Sequence, residues 1–175
     1  LLAGVAFAIK SLNPNIKVYG VQASGAPSMV QSVKDGQIET LESVHTFQDG
    51  IAVKTPGNLT YEIASKYVDG FVTVTDDECA AAILTLLERQ KLVTEGAGAC
   101  AFAAVLFNKI PEIKGKRVCC LLSGFNIDVT ILSRVINRGL QMSGRLADLT
   151  IELLDKPGQL QGVSEIISNM GGNVV

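Results

Sequence analysis

The run Arg117–Asn126, RVCCLLSGFN, constrains the fold more than any other stretch of this chain. Five consecutive apolar residues, Val118 to Leu122, lead directly into Ser123-Gly124. A short unbroken apolar run closed by a turn signal predicts a strand buried on both faces of a parallel sheet. In open α/β sheets, ligands gather at the carboxyl ends of such strands. Ser123 can offer its hydroxyl to whatever fills that crevice, or serve as an ordinary serine of a strand-to-helix turn.

The rest of the chain supplies neighbours for that strand. Leu2, Val5, Ala6 and Ile9 stand at helical spacing, and Asn13-Pro14 stops the helix they predict over Leu1–Leu12. Lys17–Val21 predicts a strand, and Ala26–Lys34 a helix that Pro27 can start, with Gly36 beyond its end. Gln37–Gly57 has mixed polarity and two turn signals, Asp49-Gly50 and Pro56-Gly57, so it reads as a surface loop. Tyr61–Tyr67 predicts a short helix and Gly70–Val74 a strand. Thr75 and Glu78 have capping-box spacing and open a helix from Asp76 to Lys91, with an apolar stripe of Ala80, Ile83, Leu84 and Leu87. Gly96–Phe107 is small or apolar all round, as a buried helix is. A last helix in this series runs from Ile127 to Leu140, with Asn126 as its expected N-cap. Helices alternating with short strands mean βαβ units and a parallel sheet, an α/β architecture.

After Gln141–Gly144 the pattern changes. Leu146, Leu149, Ile151 and Leu153 predict a half-buried strand, Asp155-Lys156-Pro157-Gly158 a turn, and Gln159–Met170 an amphipathic helix. Gly171-Gly172 ends that helix and Asn173–Val175 begins another strand. Residues 142–175 are therefore expected to open a second domain after a first of residues 1–141.

A hydrophobic content of 47% with 18% charged residues allows a sizeable core and argues against disorder. The net charge is −2 and no basic run exists, which speaks against a nucleic-acid partner. No apolar run approaches the roughly 20 residues that span a bilayer. Cys79, Cys100, Cys119 and Cys120 sit in apolar settings without C-x-x-C spacing, which predicts buried thiols in a reducing compartment, the cytoplasm. The chain has no starting Met, and apolar patterns run to both ends, so an internal fragment of a longer protein is expected and no targeting segment is legible.

Several motifs stand in a fixed order: L-L-A-G-V-A at the start, D-G-I-A-V-K-T-P-G from Asp49, T-E-G-A-G-A from Thr94, L-S-G-F-N-I-D from Leu122, then L-L-D-K-P-G-Q-L and M-G-G-N. On these residues the chain resembles the fold-type II (tryptophan synthase β-like) pyridoxal-phosphate enzymes, most closely the threonine ammonia-lyases, or threonine dehydratases, with one C-terminal ACT domain. The resemblance implies a parallel sheet with helices on both faces. Residues 1–141 would be the C-terminal portion of the catalytic domain, and 142–175 the first βαβ half of an ACT-like α+β regulatory domain. It implies deamination of L-threonine, and also L-serine, to 2-oxobutyrate or pyruvate plus ammonia, in isoleucine biosynthesis or threonine catabolism. The partners it implies are a small amino-acid substrate, an amino-acid effector and further copies of the same chain. Serine racemase or another fold-type II lyase remains an alternative, and so does a non-catalytic regulatory or interaction protein.

The resemblance also implies roles. Ser123 would hydrogen-bond the pyridine nitrogen of pyridoxal 5'-phosphate, and its neutral hydroxyl would leave that nitrogen largely unprotonated. Gly124 would let the backbone approach the ring. Phe125 stands where a second glycine is usual, and must point away from the ring or narrow the pocket. Glu95 would lie near the ring, or act as a favourable charge at a helix start. Leu1 would follow the family's tetraglycine loop, with its N–H in reach of the phosphate. That loop and the Schiff-base lysine would lie upstream, so no catalytic residue is assigned here and the polypeptide alone is expected to be inactive.

Gln22, Ala26 and Ser28 match positions where the racemase branch holds a divalent cation with a Glu, a carbonyl and an Asp. With both carboxylates replaced, no tight Mg²⁺ or Ca²⁺ site is expected. Asp155, Pro157 and Gly158 form the turn that would face an effector, although a Pro-Gly turn also explains itself structurally. His45 reads as a solvated loop histidine rather than a general base. Lys54 lacks the Schiff-base context.

Overall fold

Tyr19–Ala23 (β1) and Gly70–Val74 (β2) pair in parallel in the computed structural model, which describes residues 1–174. Val21 lies opposite Val72, and Ala23 opposite Val74. Strand side chains alternate between faces, so Tyr19, Val21, Val72 and Val74 share one face. There they meet Cys79, Ile83, Leu86, Ala99, Cys100 and Ala103 in the main core. Those residues come from helices Asp76–Gln90 (α4) and Gly96–Leu106 (α5). On the other face a Cβ at Gly20 would lie 2.6 Å from the Leu2 side chain, so helix Leu2–Leu12 (α1) rests there on a bare backbone. Gln22, on that same face, accepts the Val30 N–H of helix Ser28–Asp35 (α2) at 2.8 Å. Helices therefore cover both faces.

Local signals set most element ends. Pro27 precedes α2, and Gly36 closes it with a left-handed φ of 73°. Thr75 and Glu78 form the reciprocal capping box at the start of α4. Helix Asn58–Tyr67 (α3) starts three residues before Tyr61, with Asn58, Leu59 and Thr60 forming an exposed first turn. In α4 the buried stripe turns through Leu86, leaving Leu87 half-buried. Helix Val129–Met142 (α6) packs along α4, where Gly139 meets Leu84 at 3.0 Å from a would-be Cβ. Bidentate pairs brace α4 on both sides of this contact, Arg138 of α6 with Asp77 and Arg145, just past α6, with Glu88.

Several expectations are corrected. Cys79 and Cys100 are buried thiols as expected, but Cys119 is exposed and Cys120 half-buried, because no strand among the described residues pairs with the run that carries them. Val118–Leu122 forms no strand and joins no sheet among the described residues. Val118 and Leu121 are exposed, while Leu122 reaches the core. An apolar run can supply the side chains of a buried strand, but burial needs neighbouring strands, and β1 and β2 pair with each other. Leu146–Leu154 likewise forms no strand, with Leu146 half-buried and the residues from Ala147 on exposed. The N-cap of α6 is Asp128, not Asn126, because Ile127 N–H turns back to the Phe125 carbonyl at 3.1 Å. Asn173 and Val174 form no strand, and Val175 lies outside the described residues. Helix Gln159–Asn169 (α7) forms as expected after the Asp155–Gly158 turn, but buries no residue.

Asp69 ties the amino-terminal side of the sheet together. Its carboxylate receives Lys10 of α1, Lys17, and the Val18 N–H just before β1. Burial alone would raise its pKa, but the Lys10, Val18 and Lys17 hydrogen bonds outweigh that and hold it at about 2. The folded value lies below an unfolded one of about 4. Its stabilisation is therefore complete above pH ~4 and disappears as pH falls toward 2. Asp69→Ala should lower stability at pH 7 by about 2 kcal/mol, with the gap closing in that acid window, as read from denaturant midpoints across pH.

Candidate functional site

The carboxyl ends of β1 and β2 carry the loops on which the site is built. Beyond β1, Gly25 lies so close to the His45 carbonyl that a Cβ would sit 1.9 Å from it, and His45 N–H donates to the Gly25 carbonyl at 3.0 Å. Beyond β2, Asp76 accepts hydrogen bonds from Thr46, Phe47 and Gln48. The loop then passes through a single 3₁₀ turn, Asp49–Ile51, onto the start of α5. Loops from both strands thus meet over one helix end.

Glu95 is the N-cap residue of α5, and its side chain makes no capping bond there. Its backbone N–H instead donates to the Gly124 carbonyl at 3.1 Å. Its carboxylate lies over Gly124, where a Cβ would fall 2.1 Å from Oε1. Gly124 also has a φ of 75°, so its missing side chain serves both the backbone angle and the approach of Glu95. The Ser123 carbonyl presses on α5 at Gly98, 1.5 Å from a would-be Cβ. Gly98 is therefore the reason the segment bearing Ser123 can lie flat on the helix.

Ser123 itself is half-buried. Among the described residues no side-chain hydrogen bond uses its hydroxyl. Behind the site, Cys79 Sγ donates to the Gly96 carbonyl at 3.0 Å. The adjoining Cys100 thiol and then burial push the Cys79 pKa well up, so it remains a protonated donor rather than a nucleophile. Burial also raises Cys120.

Ser123, Gly124 and Glu95 are thus brought together. Leu1 is not joined to them by any hydrogen bond among the described residues; its carbonyl opens α1 by accepting Val5 N–H at 3.1 Å. Asp155, Pro157 and Gly158 form an exposed turn before α7, with Gly158 at φ 86°. His45 is exposed, and Lys54 spends its ammonium on the Glu42 carbonyl at 2.9 Å. Phe125 points into solvent. Gln22 is committed to α2, and the Ser28 carbonyl accepts the Ser32 hydroxyl at 2.7 Å. Sequence reasoning missed Gly50, Gln48 and Asp76. Asp49-Gly50 read only as a turn and Asp76 only as a helix start, and no local pattern marks their convergence on α5.

Residues 1–124 match the family described as pyridoxal-phosphate dependent enzyme. The chain belongs to that family. Within it, the chain is 49% identical to the L-threonine ammonia-lyase of Thermotoga maritima over 175 residues, which is all of this chain and 43% of that protein. The processed threonine deaminase isoform 2 of Solanum lycopersicum superposes with a TM-score of 0.74 at 34% identity, covering 82% of this chain and 39% of that one. Maize serine racemase follows with a TM-score of 0.71 at 30% identity, covering 82% and 45%. The chain thus spans less than half the length of these relatives.

The donor set fits the ring end of pyridoxal phosphate. A hydroxyl that no described residue engages suits a heteroaromatic nitrogen, and it stands beside a residue with no side chain to block a flat ring. No helix among the described residues is long and apolar enough to cross a membrane.

Proposed function

We propose that this chain is part of a pyridoxal-phosphate dependent threonine ammonia-lyase, which deaminates L-threonine, and L-serine as well, to a 2-oxo acid and ammonia. The observation that carries this is the 49% identity to such an enzyme along the whole chain. When bound, pyridoxal phosphate supplies an electron sink for the bond broken at the substrate's α-carbon. Ser123 would hold the ring nitrogen through its uncharged hydroxyl. Gly124 would keep the backbone side of the ring free of a Cβ, and Glu95 would place a carboxylate at its margin.

Residues 1–141 then belong to the catalytic domain and residues 142–175 open an ACT-like domain. Its turn at Asp155, Pro157 and Gly158 would meet an amino-acid effector, in a cytoplasmic homo-oligomer. Gln22 and Ser28, neutral where the racemase branch is acidic, favour the lyase over the racemase.

The test is the complete enzyme containing this chain, assayed with L-threonine, L-serine and D-serine. Fast 2-oxobutyrate release from L-threonine supports the proposal. Interconversion of the serine enantiomers without threonine turnover would overturn it. Alone, the 175-residue chain is expected to show no visible absorption band of bound coenzyme after dialysis against pyridoxal phosphate. A persistent band would contradict the placement of the Schiff-base lysine outside this chain.

A further inference from the structure

Asp76 is the first residue of α4, where a carboxylate gains from the helix dipole alone. Here it does more, because donors from a loop 28 to 30 residues away converge on it: Thr46 hydroxyl, Phe47 N–H and Gln48 Nε2. Gln48 is fully buried, and the other end of its amide accepts the Cys100 thiol of α5 at 2.6 Å. One side chain thus bridges the start of α4 to the middle of α5. The loop it holds lies directly on the first turn of α5. A Cβ at Gly96 would meet the Phe47 ring at 2.7 Å and Gln48 Cγ at 3.1 Å, and one at Gly50 would meet Glu95 Oε1 at 3.4 Å.

We infer that Asp76, acting through Gln48, is a positioning residue that clamps the Thr46–Ile51 loop over α5 and so sets Glu95 against Gly124. This rests on reading Ser123, Gly124 and Glu95 as the coenzyme site. The carboxylate is needed as such, since all three partners are donors. An Asn at this position turns an NH₂ either toward the Phe47 N–H or, flipped, toward both the Thr46 hydroxyl and Gln48 Nε2.

The experiment uses the complete enzyme, with pyridoxal phosphate as the probe, and compares wild type with Asp76→Asn, Thr46→Val and Asp77→Asn. Thr46→Val removes one donor and also the acceptor of the Gln48 N–H. Asp77→Asn breaks only the neighbouring exposed pair with Arg138. In Asp76→Asn, amide exchange over residues 46–51 should quicken about tenfold and the coenzyme dissociation constant rise about tenfold, the loss of one charge-assisted hydrogen bond. Exchange in α1 and α3 should not change, which separates positioning from general destabilisation. Thr46→Val should move both readouts the same way by less, and decides the matter if Asp76→Asn does not fold. Asp77→Asn should move neither. A loosened loop with unchanged coenzyme affinity, or a loop that stays protected, overturns the clamp. Wild type that takes up no coenzyme overturns the site reading itself, and the clamp with it.

Discussion

Gly98→Ala is expected to cost about 3 kcal/mol or more of stability and to abolish coenzyme binding in the complete enzyme. The added methyl would stand 1.5 Å from the Ser123 carbonyl oxygen, 2.7 Å from its carbon and 3.0 Å from the Gly124 oxygen. All three are backbone atoms, so no side chain can swing aside. Either α5 withdraws from the core or the Ser123 segment lifts, and lifting breaks the Glu95 N–H bond to Gly124. Gly4→Ala is the control. It lies in α1 with nothing within 4 Å of a new Cβ, and it should stabilise by up to about 1 kcal/mol. Denaturant midpoints and pyridoxal phosphate uptake read both variants. Equal stability of Gly98→Ala and wild type would mean that the close approach does not exist.

In the complete enzyme proposed above, Ser123→Ala should lower kcat/KM for L-threonine by about 10- to 100-fold, the kinetic equivalent of leaving one buried acceptor without its partner. The fold is expected to survive, because the hydroxyl supports no other described residue. Ser123→Thr, which keeps the hydroxyl, should recover most of the rate. Ser123→Asp tests the charge argument. A carboxylate would hold the ring nitrogen protonated and change the absorption of the bound coenzyme. An alanine variant with wild-type kcat/KM and coenzyme affinity would remove Ser123 from the site.

Local chemistry was legible in the sequence, and partnership was not. The α4 start was readable because its capping box closes within four residues, and Gly36 and Gly158 mark their helix ends in the same local way. The strand at Gly70–Val74 was readable to the residue because its composition, its preceding helix and its following cap agree. Val118–Leu122 carried equally good composition and was misread, since pairing depends on chain that composition does not describe. Of the candidate site, Ser123 and Glu95 were found through motif resemblance. What brings them together is the contact of Glu95 with Gly124, between residues far apart in sequence. The bridge from Gln48 to Cys100 crosses 52 residues, and no periodicity could announce it.

The unpaired segment from Val118 to Leu122 has a practical consequence. Its amides find no carbonyl on another strand among the described residues, and Val118, Leu121 and Phe125 stand in water beside them. Unpaired amides beside exposed apolar side chains are a template on which a second molecule can add a strand. When the isolated chain is concentrated it should oligomerise with the infrared band of intermolecular strands, and Leu121→Lys should keep it dispersed. Light scattering against concentration reads the difference.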